Sequence, residues 1–124
     1  MKDWFDDLED KTQKLLKPFR RENTKRVKIA VLDTGIDLTH PDFAEDQKQE
    51  RQNRRIKKPE DFLDPANKGS DKCGHGTHCV WLLRKIAPEA DIYVMRVADN
   101  FDTGVDGDVV AKINLTSDEE LVLL

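Results

Sequence analysis

The spacing of apolar residues near the N-terminus predicts a helix. Acidic residues are concentrated in the first half of residues 3–21 and basic residues in the second half, the order that a helix dipole favours. The apolar positions recur at near-helical spacing at Trp4, Leu8, Leu15 and Phe19. We predict a helix that ends around Lys17–Pro18 and packs one face on its own domain, with a partner-binding helix as the alternative.

Two later segments have the pattern of buried strands. The run VKIAVL at 27–32 is short and β-branched and lacks strict alternation after Ile29, which is typical of a strand covered on both faces of a parallel sheet. The run ADIYVMRV at 90–97 predicts the second strand. Between them, one helical stripe before Pro88 holds His75, His78, Cys79, Leu82, Leu83 and Ile86. Strand, helix and strand in this order predict an α/β fold with a parallel sheet.

The segment between the first strand and this helix is almost wholly polar. Residues 44–72 contain Pro59 and Pro65, which interrupt regular structure. They also carry a basic run made of Lys48, Arg51, Arg54, Arg55, Lys57 and Lys58. We predict a solvated loop in preference to a nucleic-acid or targeting patch. After the second strand, Val109–Ile113 predicts the start of a helix.

Composition limits the function classes. With 124 residues the chain is about one domain, and its 37% charged and 37% apolar residues predict a thin core. The net charge of −4 argues against nucleic-acid binding. No apolar run is long enough to cross a membrane, and residues 1–10 lack the apolar core of a signal peptide. We therefore expect a cytoplasmic protein whose Cys73 and Cys79 are reduced thiols.

The candidate chemistry lies where the first strand ends and the helix begins. Reactive groups gather at the carboxyl ends of parallel strands, and Asp33 occupies such an end, with Gly35 permitting a tight turn after it. His75 begins the helix within CGHGTH. An aspartate that accepts the Nδ1 proton of a histidine leaves Nε2 as a general base, so we predict an Asp33–His75 pair.

Two blocks around these residues resemble the subtilisin-like (subtilase, S8) serine peptidases. VLDTGID at 31–37, continuing to HPDF at 40–43, is similar to the family's aspartate block, and GHGTH at 74–78 is similar to its histidine block. The resemblance implies catalytic Asp33 and His75, with backbone-shaping Gly35, Gly74 and Gly76. It also implies a partial subtilisin-like α/β fold with flanking helices, incomplete at its C-terminal end.

The resemblance divides the chain into three parts. Residues 1–25 are an N-terminal amphipathic helix and linker, residues 26–113 are a partial peptidase domain, and residues 114–124 are an atypical tail. The family usually follows its histidine block with small residues ending in glycine, whereas this chain has Cys79-Val80-Trp81. A large indole at a glycine position requires open space beside the helix.

The family's nucleophile is missing from the sequence. Its two serines, Ser70 and Ser117, do not lie in the G-T-S-x-A setting of the family's nucleophile helix. We therefore expect the chain to be inactive alone, and expect its partners to be a complementing C-terminal fragment and, once completed, a polypeptide substrate. The alternative is a non-catalytic, peptidase-like interaction module whose unpaired sheet edge binds another chain.

Other chemistries stay open on the residues alone. Zinc could be held by Cys73, His75, His78 and Cys79, but inward packing explains His78 and Cys79, so we predict no metal site. The triplet at 33–35 also occurs in aspartic peptidases, but those are all-β. Family members need no cofactor, although calcium commonly stabilises them. The acidic loop with Asp99, Asp102, Asp106 and Asp108 misses the EF-hand pattern and favours a turn followed by a helix cap.

Overall fold

A computed structural model of the protein describes residues 3–17, 26–100 and 121–123. Its helices are α1 (Trp4–Leu16), α2 (Ala44–Lys48) and α3 (His75–Ile86). Its strands are β1 (Lys28–Asp33), β2 (Glu60–Asp61), β3 (Asp91–Arg96) and β4 (Leu121–Leu123). Short 3₁₀ turns cover Pro41–Phe43, Arg51–Asn53 and Pro65–Asn67. The N-terminal helix, predicted to end around Lys17–Pro18, and both predicted strands are therefore present, with ends shifted by one to a few residues.

The four strands form one parallel sheet in the order β2-β3-β1-β4. The register places Lys28 opposite Asp91 and Asp33 opposite Arg96. Helix α3 lies between β1 and β3 in the sequence and packs against β1. This arrangement confirms the predicted α/β fold with a parallel sheet and flanking helices.

Apolar side chains cover both faces of the sheet, because successive strand residues point to opposite sides. The larger cluster lies on one face and contains Ile29, Val31, Ile36, Phe43, Ile56, Val80, Ala90, Ile92 and Val94. The smaller one contains Ala30, Met95 and Val97, with Leu32 and Phe62 packed against it. A strand covered on both faces reads as a continuous apolar run, which is the pattern that residues 27–32 show.

Helix α3 presents a different face to the core from the predicted one. Gly76 and Val80 are its buried residues, whereas Ile86 is 52% exposed and His78 is also exposed. The predicted stripe was therefore wrong in part. Cys79 and Leu83 pack against the core as predicted, but the inward face of the helix is rotated towards Gly76 and Val80, and a glycine carries no apolar side chain that a hydrophobic pattern could count. Helix α1 packs against α3, where Asp6 lies 3.9 Å from Lys85.

The segment 44–72 was predicted as a solvated loop, and this was wrong in part. Strand β2 pairs with β3, and Ile56 is 1% exposed and forms a bridge with Ile92. The Asp61 side chain is fully buried against Arg96. One isoleucine and one aspartate thus tie the segment to the sheet, and a polar pattern does not reveal either contact.

Strand β4 was not predicted, because the tail was considered atypical. It lies beside β1 on the side opposite β3, so β1 is bonded on both edges. The helix predicted to begin over 109–113 and Ser117 lie outside the described residues. Within the described ranges, no helix has both the length and the hydropathy of a membrane span.

Candidate active site

The carboxylate of Asp33 lies at the carboxyl end of β1 and is held by its own turn. Thr34 donates its backbone N–H to Asp33 Oδ1 at 2.7 Å. The backbone carbonyl of Asp33 accepts the N–H of Val97 at 2.9 Å, which continues the pairing of β1 with β3 past the strand end. The carboxylate therefore projects from a segment whose backbone is fixed by the sheet.

The side chain of His75, the first residue of α3, meets this carboxylate. His75 Nδ1 lies 2.8 Å from Asp33 Oδ1. Because an ionised carboxylate only accepts hydrogen bonds, this contact favours the neutral tautomer with the proton on Nδ1, which leaves Nε2 as the basic nitrogen. The imidazole is 47% exposed and the Asp33 side chain 18% exposed, so the pair opens onto the surface. The structure thus brings together the two predicted catalytic residues.

Two glycines allow the strand turn and the helix to touch at backbone distance. A Cβ on Gly76 would lie 2.2 Å from the carbonyl oxygen of Gly35, and a Cβ on Gly35 would lie 2.3 Å from that of Gly69. Gly35 also has a φ of 107°, which disfavours other residues. Gly74 precedes α3 with a φ of 96° and has open space around its Cα. Gly76 and Gly35 therefore set the separation of β1 and α3, whereas Gly74 supplies only the left-handed backbone before the helix.

The carboxylate of Asp71, in the segment predicted as a polar loop, bonds to residues close to each member of the pair. Asp71 accepts five hydrogen bonds, and the groups that donate them are Thr34 Oγ1, Cys73 N, Gly74 N, Thr77 N and Thr77 Oγ1. Burial raises the pKa of Asp71, but hydrogen bonds, the largest from Thr77, outweigh it and lower the pKa below its usual value. The signal that could have revealed it is an acid placed shortly before a helix whose N-cap residue is a glycine, which has no side chain to accept the first amides.

Cys79 lies one helical turn after His75 and approaches the same pair. Its Sγ is 3.8 Å from Asp33 Oδ2 and 3.8 Å from His75 Nδ1. These three residues offer ligand atoms within 4.8 Å of one another, the separation at which a metal ion could be held. Burial raises the pKa of the Cys79 thiol, and the charge of Asp33 raises it further. Metal binding requires a thiolate, so this environment disfavours it.

The four residues weighed as a zinc set do not form one cluster. His78 stacks on Trp81 with ring centroids 5.8 Å apart, and Cys73 is exposed. Cys73 and Cys79 are free thiols. Trp81, at the position where the family has glycine, is partly buried against the core cluster, with Lys85 Nζ 5.6 Å from its ring centroid. The indole is thus accommodated between the core cluster and its helical neighbours His78 and Lys85.

A cleft of about 550 Å³ opens beside the first turns of α3, but it is not centred on the pair. Its lining includes Gly74, Thr77 and Trp81 and contains neither Asp33 nor His75.

Of the four acids considered for calcium, Asp99 contacts the Arg96 guanidinium, and the other three lie outside the described residues. The preference for a turn and a helix cap over a calcium site at these acids stays a prediction.

The parallel sheet carries an Asp–His pair at its carboxyl end, an arrangement in which a carboxylate can orient a histidine base. The family model described as "Subtilase family" matches residues 24–118, most of the chain. The chain belongs to the subtilase family. The match extends past Ile113, where the resemblance was expected to stop.

Three curated relatives show how much of the family's length is represented. The chain is 32% identical to the subtilisin-like protease het-Q2 of Podospora anserina, over 62% of this chain and 29% of that protein. It is 30% identical to thermitase of Thermoactinomyces vulgaris, over 74% of this chain and 33% of that protein. It is 29% identical to subtilisin of Bacillus sp. (strain TA39), over 78% of this chain and 24% of that protein. The chain thus spans a third or less of these relatives' lengths. No solved structure matches the chain.

Proposed function

We propose that this chain supplies the aspartate and histidine of a serine endopeptidase active site. The observation that carries the proposal is the 2.8 Å contact between His75 Nδ1 and Asp33 Oδ1, on an imidazole that remains half-exposed. The contact selects the tautomer in which Nε2 can accept a proton. A half-exposed imidazole leaves room for a nucleophile to approach from outside these two segments.

In the proposed reaction, His75 Nε2 takes the proton of a serine hydroxyl as the serine oxygen bonds to the peptide carbonyl carbon. The same proton then passes to the leaving amine as the peptide C–N bond breaks. Asp33 stays ionised, orients the ring and stabilises the imidazolium that forms between these steps. His75 Nε2 then takes a proton from water as the water oxygen bonds to the acyl carbon, and it returns that proton to the serine oxygen as the acyl–serine bond breaks and the acid is released.

The serine must come from family sequence outside these 124 residues. Neither Ser70 nor Ser117 has the family's nucleophile setting. Ser70 lies in a segment that bridges to Ile36, and its backbone carbonyl accepts a hydrogen bond from Asn67. We therefore propose that the 124-residue chain alone does not hydrolyse peptides. In subtilisin, a family member, loss of the serine or the histidine lowers turnover by about 2 × 10⁶.

Fragment complementation tests this proposal. The chain is mixed with a separately produced fragment that bears a family-type serine block, and hydrolysis of a peptide ester is followed. We expect turnover only with both fragments present. Asp33→Asn and His75→Ala should each remove it, because the first changes the preferred tautomer and the second removes the base.

Two matched variants control for general damage. His78→Ala removes a second histidine from α3, and Ser70→Ala removes the serine nearest in sequence to His75. Both mixtures should keep their turnover. Turnover by the chain alone that is lost in Ser70→Ala would contradict the need for an outside serine. Binding of the two fragments without turnover would instead support the non-catalytic interaction module.

A further inference from the structure

The N-terminal turn of α3 is held by groups outside the helix. Gly74, at the cap position, has no side chain to satisfy the first amides. Gly76 donates its N–H to Thr34 Oγ1 at 2.9 Å, and Thr77 donates its N–H to Asp71 Oδ2 at 2.9 Å. The orientation of the turn that begins with His75 is thus set by a strand-end threonine and a loop carboxylate.

Asp71 joins the two segments that carry the proposed catalytic residues. Its Oδ1 accepts the hydroxyl of Thr34, the residue after Asp33, at 2.8 Å. Its Oδ2 accepts the hydroxyl of Thr77, two residues after His75, at 2.6 Å. Each hydroxyl then accepts one further N–H, from Gly76 and from Asp37 respectively. One carboxylate therefore fixes both ends of a 2.8 Å contact that it does not itself make.

We propose that Asp71 is a positioning residue for the Asp33–His75 pair, acting through Thr34 and Thr77 to hold the imidazole in its Nδ1–H tautomer. This inference rests on the proposed function, because positioning of the pair matters for catalysis only if the pair is catalytic. The tautomer of His75 can nevertheless be measured without turnover. Charge-assisted hydrogen bonds are the stronger kind, and five of them on one carboxylate resist rotation of either segment. The lowered pKa of Asp71 keeps that carboxylate ionised at neutral pH.

Nitrogen-15 NMR of the imidazole rings in the intact chain tests the proposal. The Nδ1 and Nε2 shifts of a neutral imidazole report which nitrogen is protonated, and the spectra are recorded at mildly alkaline pH. We expect the Nδ1–H tautomer for His75 in the native chain. Asp71→Asn replaces one acceptor oxygen with a donor facing Thr77, and should shift His75 towards the Nε2–H tautomer that an unrestrained imidazole prefers.

Further variants separate positioning from folding. Thr34→Val removes one of the two linking hydroxyls while leaving Asp71 in place, and should shift the tautomer in the same direction. If Asp71→Asn fails to fold, Thr34→Val alone decides. Asp42→Asn, which changes an exposed acid near the same cleft, should leave the tautomer unchanged.

The outcomes distinguish this inference from the proposed function. An unchanged Nδ1–H signal in Asp71→Asn and Thr34→Val would overturn the positioning role, whatever the complementation assay gives. A tautomer shift in those two variants, with Asp42→Asn unchanged, would support it even if no serine fragment restores hydrolysis. An Nε2–H tautomer in the native chain would also overturn it.

Discussion

Replacing the buried Asp61 with asparagine should destabilise the fold several times more than the same change at an exposed acid. Its carboxylate is fully buried beside Arg96, whose side chain is 4% exposed, with Arg96 Nη1 at 3.0 Å from Oδ1 and 3.2 Å from Oδ2. Its other donors are Leu63 N, Asp64 N, Gly69 N and Asn67 Nδ2. Asparagine keeps one acceptor oxygen but carries no negative charge, so the buried Arg96 guanidinium loses the charge of its ion-pair partner.

The stability lost in Asp61→Asn can be derived in two ways, and the two values are similar. Burial raises the pKa of Asp61, but the hydrogen bonds outweigh it and lower the pKa from 3.8 to about 2. By linkage, this corresponds to about 2.5 kcal/mol of stability at neutral pH. Removing one partner of a buried ion pair costs about 3–5 kcal/mol, and the contact of Arg96 with Asp99 reduces that cost. We expect Asp61→Asn to lower the free energy of unfolding by about 3 kcal/mol.

Urea unfolding followed by circular dichroism measures this loss. Because the folded pKa of Asp61 is depressed, its contribution is complete above pH 3.8 and disappears as the pH falls towards 2. The stability gap between the native chain and Asp61→Asn should therefore narrow by about 1 kcal/mol at pH ~3. Asp64→Asn, at an exposed cap on Ala66, is the matched control and should change stability by less than about 0.5 kcal/mol. An Asp61→Asn variant as stable as the control, or a gap that does not depend on pH, would refute the reasoning.

Three further outcomes follow from the geometry. Gly76→Ala should destabilise the chain by about 2–3 kcal/mol in the same urea assay, since its Cβ would meet the Gly35 carbonyl at 2.2 Å, and a neutral effect would contradict that contact. Ile56→Ala should lower the free energy of unfolding by about 2–5 kcal/mol and Ile56→Val by about 1 kcal/mol. Losses of this size would establish the buried Ile56 as part of the core. Iodoacetamide should alkylate exposed Cys73 faster than Cys79, whose pKa is raised by burial and by Asp33, as peptide mass spectrometry can show, and equal rates would argue against that environment.

The sequence was most informative where side chains are large or chemically distinctive. The β-branched run before Asp33 and the run ending at Val97 predicted two parallel strands, because strands buried on both faces must be continuously apolar. The Asp33 and His75 blocks predicted the family, and the family model confirms it. Both signals depend on residues close together in the chain.

Contacts between distant segments were not predictable in the same way. Strand β2 is two residues long and polar, and it is defined by pairing with β3. The role of Asp71 depends on Thr34, which is 37 residues away in sequence, so no local pattern marks it. The buried face of α3 was misassigned because its closest contact is made by Gly76, a residue with no apolar side chain.

The central position of β1 has a consequence for the lifetime of the site. Hydrogen bonds to β3 and β4 on its two edges protect its amides, and such interior strands exchange their hydrogens with solvent only in the larger opening events of a fold. The first turn of α3 depends instead on a few bonds to neighbouring loops. Fluctuations that separate the carboxylate from the imidazole should therefore originate on the helical side, and deuterium uptake there should precede uptake in the strand.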